Sequence, residues 1–243
     1  MAIKITIYNE FHHEQHDENV KKIYPNGMHN TIKDFLSENP DFEVTTGTLE
    51  MPEHGLTDEV LNNTDVLIWW GHIRHGDVSD EVVRKIKRRV LQGMGFIPLH
   101  SSHMSKPFLT LMGTTGLLYW CEAPDISEIL WTIVPAHSIV KDVPVYFKLG
   151  IEEMYGEPFG IPTPDEVVFI SWFSRGNVFR SGCTFRRGNG KIFYFRPGHE
   201  TSPTYHDKNI QKIISNAVYW AKPDFTVPPQ TDSYFPKDLR IED

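Results

Sequence analysis

Lys191-Ile192-Phe193-Tyr194-Phe195-Arg196-Pro197-Gly198-His199-Glu200-Thr201 is an apolar, aromatic run that empties into an imidazole beside a carboxylate. A buried strand that ends this way delivers both groups to a sheet edge, which is where ligands collect in open α/β folds. The same delivery recurs twice upstream. Val66-Leu67-Ile68-Trp69-Trp70 runs into Gly71-His72, and Gly95-Phe96-Ile97-Pro98-Leu99 runs into His100-Ser101-Ser102-His103. Three apolar strands that each end in histidine point to a site and not to a core.

Working outward, the first hundred residues alternate strand and helix. Ile3 to Tyr8 is rich in β-branched residues and reads as a buried strand, followed by a long polar loop from Glu10 to Asp17. Met28 to Ser37 carries Ile32, Phe35 and Leu36 on one helical face and stops at Asn39-Pro40. Phe42 to Leu49 is the next strand, Thr57 caps a short helix, and the continuous apolar run Val66 to Trp70 suits a parallel strand covered on both faces. Ser79 caps a helix that runs to Leu91 and ends at Gly93, a glycine placed for a left-handed turn. This alternation predicts a doubly wound, mostly parallel sheet.

The second half reads differently, with strands at 128–134, 143–149, 167–173, 178–185 and 191–195. The last two are joined by the hairpin turn Arg187-Gly188-Asn189-Gly190. Asp207 caps a final amphipathic helix bearing Ile210, Ile213, Ile214, Ala217 and Val218. One domain over residues 1–243 is expected, with 223–243 as an extended, proline-rich tail.

Composition narrows the function. The formal net charge of −8 argues against a nucleic-acid partner. The basic run Arg84-Lys85-Ile86-Lys87-Arg88-Arg89 is interleaved with apolar residues and reads as the solvated face of a helix. Two cysteines, Cys121 and Cys183, are too few for a disulfide framework, and no run is long enough to span a bilayer. The start reads as a strand and not as a signal peptide, so a cytoplasmic location is expected. The 12 histidines are the compositional oddity.

Four motifs in order, Trp69-Trp70-Gly71-His72, Gly95 to Ser101, Glu152-Glu153-Met154-Tyr155 and Phe195 to Thr201, resemble the class I glutamine amidotransferase-like superfamily. More closely they resemble its ThuA-like branch, associated with trehalose utilisation, over Ile3 to Trp220. The resemblance implies a flavodoxin-like three-layer α/β sandwich with an antiparallel extension. In amidotransferases of this fold a cysteine at the strand-to-helix elbow pairs with a downstream His and Glu. Here the elbow holds His100-Ser101-Ser102, so the thiolate that would attack glutamine is missing and glutaminase activity is not expected. Function has to come from the site and not from the scaffold.

Three chemistries compete for the remaining groups. Neutral imidazoles bind zinc, and loops after parallel strands could gather His12 or His13 with His72, His100 and His199 around one divalent ion. Metal-free acid–base work would use His199, Glu153 and His100, with Tyr155, Arg196, Ser101, Glu200 and Trp70 contacting a polyhydroxylated substrate. It is the resemblance that lifts Glu153 above an exposed loop carboxylate. Ser101 as a nucleophile is the weakest of the three, since the Gly-x-Ser-x-Gly elbow is absent. Trp120 and Trp172 are the better candidates for stacking on a sugar ring, with core packing the reading for most of the tryptophans. The family association implies an enzyme (hydrolase, lyase or isomerase) acting on a disaccharide or keto-glycoside; the alternative is a non-catalytic sugar-binding protein. A small carbohydrate is the expected partner, and neither nucleic acid nor membrane is, with association into a homo-oligomer as a further expectation.

Overall fold

A computed structural model describes residues 2–224. Its strands are β1 Ile3–Asn9, β2 Phe42–Thr48, β3 Val66–Trp70, β4 Gly95–Leu99, β5 Tyr119–Cys121, β6 Ser127–Thr132, β7 Tyr146–Ile151, β8 Met154–Gly156, β9 Glu166–Phe173, β10 Val178–Arg187 and β11 Gly190–Phe195. Its helices are α1 His13–His16, α2 Glu18–Ile23, α3 Met28–Ser37, α4 Asp58–Asn62, α5 Asp80–Gln92, α6 Lys106–Met112 and α7 Lys208–Ala221. A nine-stranded sheet runs β2-β1-β3-β4-β11-β10-β9-β6-β7, and β5 pairs with β8 in a separate ribbon. Strands β2 to β11 of that order are parallel, and from β10 outward the pairing is antiparallel.

Period-two alternation sorts the strands' side chains into two cores. Ile5, Ile7, Ile68, Trp70, Ile97 and Phe195 face α3 and α7 through Ile32, Leu36, Ile213 and Ala217. Tyr8, Leu67, Trp69, Phe96 and Tyr194 face α5 and α6 through Val82, Ile86, Val90 and Phe108. Trp69 and Trp70 therefore enter opposite helix layers. The expected caps are present: Thr57 accepts from Val60 N–H, Ser79 from Glu81 N–H, and Asp207 from Asn209 and Ile210 N–H. Gly93 adopts φ 137° at the end of α5.

Register is what builds the site. Asn9 pairs with Trp70, Trp70 with Leu99, and Leu99 with Phe195, so four neighbouring strands stop on one line. The residues that follow each of them, Glu10, Gly71-His72, His100 and Arg196, share one rim.

Several expectations change. The polar stretch after β1 is not all loop but contains α1, and Asp17 caps α2 by accepting from Asn19 and Val20 N–H. The basic face of α5 is not fully solvated. Lys85 is buried beside Glu53 and Asp58, and buried Arg89 donates to Leu61 O, because both stems lie along apolar surface. The strand expected at 143–149 begins at Tyr146, since Pro144 cannot donate to a ladder. Of the tail expected at 223–243, residues 225–243 lie outside the described residues. Among the described residues no helix is long and apolar enough to cross a membrane.

Candidate active site

Glu10, immediately after β1, anchors the loop that follows β3. Its carboxylate accepts from the backbone N–H groups of His72 at 2.8 Å, Ile73 at 3.2 Å and Arg74 at 2.9 Å. His72 is thereby aimed across the rim. There its Nδ1 lies 3.1 Å from Glu200 Oε1 and 3.1 Å from His13 Nε2, while His13 Nε2 lies 3.6 Å from the same Glu200 oxygen. These three form an outer set, half-buried at the histidines and buried at Glu200. The carboxylate beside His72 raises that imidazole's pKa against the opposing effect of burial.

An inner set is made by His100, Glu153 and His199, all buried. His100 sits at the end of β4 in the left-handed region, φ 51°, the geometry of a strand-to-helix elbow. Its Nδ1 is 2.8 Å from the Arg196 carbonyl oxygen, which can only accept, so the ring proton resides on Nδ1. Burial pushes the His100 pKa down to about 3, leaving a neutral ring whose Nε2 presents a lone pair. Glu153 Oε2 meets that lone pair at 2.9 Å. Two acceptors approach this closely only if a proton lies between them, and burial raises the Glu153 pKa in the direction that supplies it. The inner set thus places a carboxyl group with a raised pKa against a buried imidazole with a lowered one.

His199 completes the floor. Its Nδ1 lies 2.7 Å from Thr201 Oγ1, and its Nε2 points at three carboxylates, Glu122 at 3.3 Å, Glu200 at 3.6 Å and Glu153 at 3.8 Å. Burial, reinforced by His100, lowers its pKa. Among the described residues, His199 Nε2 and Glu200 Oε2 are buried atoms without a hydrogen-bond partner. Such atoms cost about 1–3 kcal/mol each unless a ligand or water satisfies them. They gather beside a pocket of about 310 Å³ lined by Glu122, Pro124, Ile151, Glu153, His199 and Thr201.

The structure brings together His72, His100, Glu153, His199 and Glu200 of the residues singled out in the sequence, but not as one metal set. His72 and His100 belong to different sets, and His12 belongs to neither. The His12 ring stacks on His16 at 4.1 Å, and His13, one residue on, turns into the site. Trp70 is not at the ligand surface; buried in the core, it donates from Nε1 to Gly198 O at 3.0 Å. Ser101 is likewise turned inward and donates to Gly71 O at 2.8 Å, tying two rim loops together. Tyr155 stacks on His100 with centroids 5.0 Å apart and is sealed from solvent. Arg196 is wholly buried between Glu128 and Glu152 and donates to Glu153 O at 2.8 Å, so it positions Glu153 and does not reach a substrate. Trp120 and Trp172 are exposed, at 60% and 41%.

Glu10 and Glu122 carry no mark of a site residue in the sequence, and there His13 is only an alternative to His12. A charged residue just after a strand is too common a signal to single out. Gly198 has a stricter reason to be where it is. At φ 128°, an added Cβ would fall 2.1 Å from Tyr205 Oη. Gly198→Ala is expected to destabilise the fold by more than about 2 kcal/mol. Urea unfolding of the variant checks this, and an unchanged midpoint would mean the turn can relax.

An α/β sandwich whose strand-to-helix elbow carries an imidazole in place of a thiol defines a class I glutamine amidotransferase-like scaffold without the amidotransferase nucleophile. Cys121 lies on β5, and Cys183 is buried on β10 with its thiol pushed up to about 12, so neither replaces it. The chain belongs to the ThuA family, described as trehalose utilisation, whose model matches residues 4–221. Solved structures agree on the fold. A putative ThuA-like protein from Parabacteroides merdae is 16% identical with a TM-score of 0.69, over 94% of both chains. A cytoplasmic protein of Salmonella typhimurium LT2 is 13% identical with a TM-score of 0.63, over 90% of this chain and 100% of that one. A putative GMP synthase protein from Thermoplasma acidophilum is 10% identical with a TM-score of 0.53, over 90% of this chain and 94% of that one. No protein of curated function matches the chain in sequence.

Proposed function

We propose that this protein is an enzyme of carbohydrate breakdown that acts on a disaccharide such as trehalose, or on a keto-glycoside derived from it. Proton transfer runs through His199 and the Glu153–His100 pair. The observation that carries the reading is the convergence of His199 Nε2 and Glu200 Oε2, buried and unpartnered, with the Glu153 carboxyl beside the pocket. Sugar hydroxyls both donate and accept, so a polyol is the ligand class that can satisfy a neutral imidazole, a carboxylic acid and a carboxylate together. The family description supplies the sugar.

In this scheme Glu153, kept protonated, is the acid, and neutral His199 is the base. His100 holds the Glu153 proton in place by accepting it at Nε2. The absence of a thiol at the elbow sets the reaction apart from glutamine hydrolysis. A cytoplasmic site of action belongs to the same proposal, supported by the description of the Salmonella structure. The test is turnover of trehalose and of its keto derivatives by wild type and His199→Ala. The variant is expected to lose about 10²–10⁴-fold in kcat while ligand Kd stays within about tenfold. Wild-type protein that binds sugars and turns none over would make it a sugar-binding protein instead.

A further inference from the structure

We propose that His13 Nε2, His72 Nδ1 and Glu200 Oε1 form a mononuclear site for a divalent transition-metal ion such as zinc, beside the acid–base group. The three atoms stand 3.1, 3.1 and 3.6 Å apart. Ligands bound about 2.0–2.2 Å from a tetrahedral ion are about 3.3–3.6 Å from one another, so the set needs little rearrangement to close on one. Two histidines and one carboxylate are also the donor set of catalytic zinc and iron sites, which keep a further position for water or substrate. Side-chain exposures of 18% for His13 and 23% for His72 place that position toward solvent.

The supports of these ligands lie outside the set. Glu10 fixes the backbone of His72 through its three accepted N–H bonds, and the Trp70 indole packs edge-on against the His13 ring at 6.4 Å. Partners of this kind hold ligands at the spacing an ion needs. The second oxygen of Glu200, unpartnered and 3.6 Å from His199 Nε2, links the ion to the acid–base group. The inner set of His100, Glu153 and His199 suits an ion less well. Its shortest contact, 2.9 Å, is tight for two ligands of one ion and fits a shared proton, and its three residues are all buried. Binding at the outer set stands on this geometry alone. Use of the ion as a Lewis acid toward a sugar oxygen or water rests on the proposed function.

The test strips the purified protein with chelator, dialyses it against Zn²⁺ or Co²⁺, and reads metal per chain by mass spectrometry and the Co²⁺ visible spectrum. One ion per chain is expected, with affinity falling at least about 100-fold in His72→Ala and in His13→Ala. Far-ultraviolet circular dichroism of both variants separates loss of ligand from loss of fold, and His13, at the start of a short surface helix, is the safer of the two. Glu153→Gln is expected to keep the ion. Metal-free protein, or an ion retained by both histidine variants and lost in Glu153→Gln, overturns the assignment. Sugar turnover by protein that takes up no metal would sink the ion and spare the proposed function. An ion bound as described with no turnover of any sugar would do the reverse.

Discussion

Arg196→Met is expected to destabilise the protein by about 3–5 kcal/mol, because it leaves two buried carboxylates facing each other with no counter-charge. Arg196 is 0% exposed, and its guanidinium pairs with Glu128, also 0%, and Glu152, 3%. Burial already pushes the Glu152 pKa up to about 7 even with the arginine present. Glu128 is further bound by Ser171, and Glu152 by Thr204, so neither carboxylate can swing out to water. A domain of this size has a total stability of about 5–15 kcal/mol, so the variant should unfold at a much lower urea concentration or fail to fold. The rescue is specific. Replacing Glu128 and Glu152 by leucine as well as Arg196 by methionine removes every buried charge of the group, and most of the lost stability should return. Activity should not return, because Arg196 also holds the Glu153 carbonyl at 2.8 Å. A single Arg196→Met variant that melts within about 1 kcal/mol of wild type would show that water reaches these carboxylates.

Glu153→Gln is expected to lower kcat by about 10²–10⁴-fold with little change in stability or in substrate Kd. Glutamine has the shape of the protonated acid, and its amide can still donate to His100 Nε2, so the 2.9 Å contact survives. What it cannot do is give up a proton. The contrast with Glu153→Ala is informative, since alanine opens a gap beside His100 and Tyr155 and should cost stability as well as turnover. If Glu153→Gln turns over at the wild-type rate, Glu153 is a structural carboxyl, and His199 would have to carry both proton transfers. Steady-state kinetics on the substrate that wild type consumes checks either outcome.

How much of this is legible in the sequence follows from what each signal depends on. Caps at Thr57, Ser79 and Asp207, the left-handed Gly93 and the hairpin at Gly188-Asn189 are local, fixed by hydrogen bonds and torsions a few residues apart. The strands β3, β4 and β11 stand out as apolar runs, and the histidines that follow them are visible for the same reason. Pairing among side chains is not. His12 and His13 are equivalent as sequence, and only the turn at Phe11, with φ 52°, and the pitch of α1 decide which one enters the site. Arg196 and Trp70 sit in motifs that suggest ligand contact, yet burial gives both to the framework.

The sequence by itself determined the doubly wound, mostly parallel sheet and the strand ends at which chemistry could be placed, because periodicity, turn residues and residue type are short-range properties of the chain; the three-layer scaffold and the missing elbow thiol came from the family resemblance. The tertiary structure decided which imidazoles share a carboxylate, which arginine and tryptophan are sealed in, and that Glu153 meets His100 at 2.9 Å. Those outcomes depend on register across four strands and on exclusion of water, and neither exists until residues some 190 positions apart, Glu10 and Glu200, stand on the same rim.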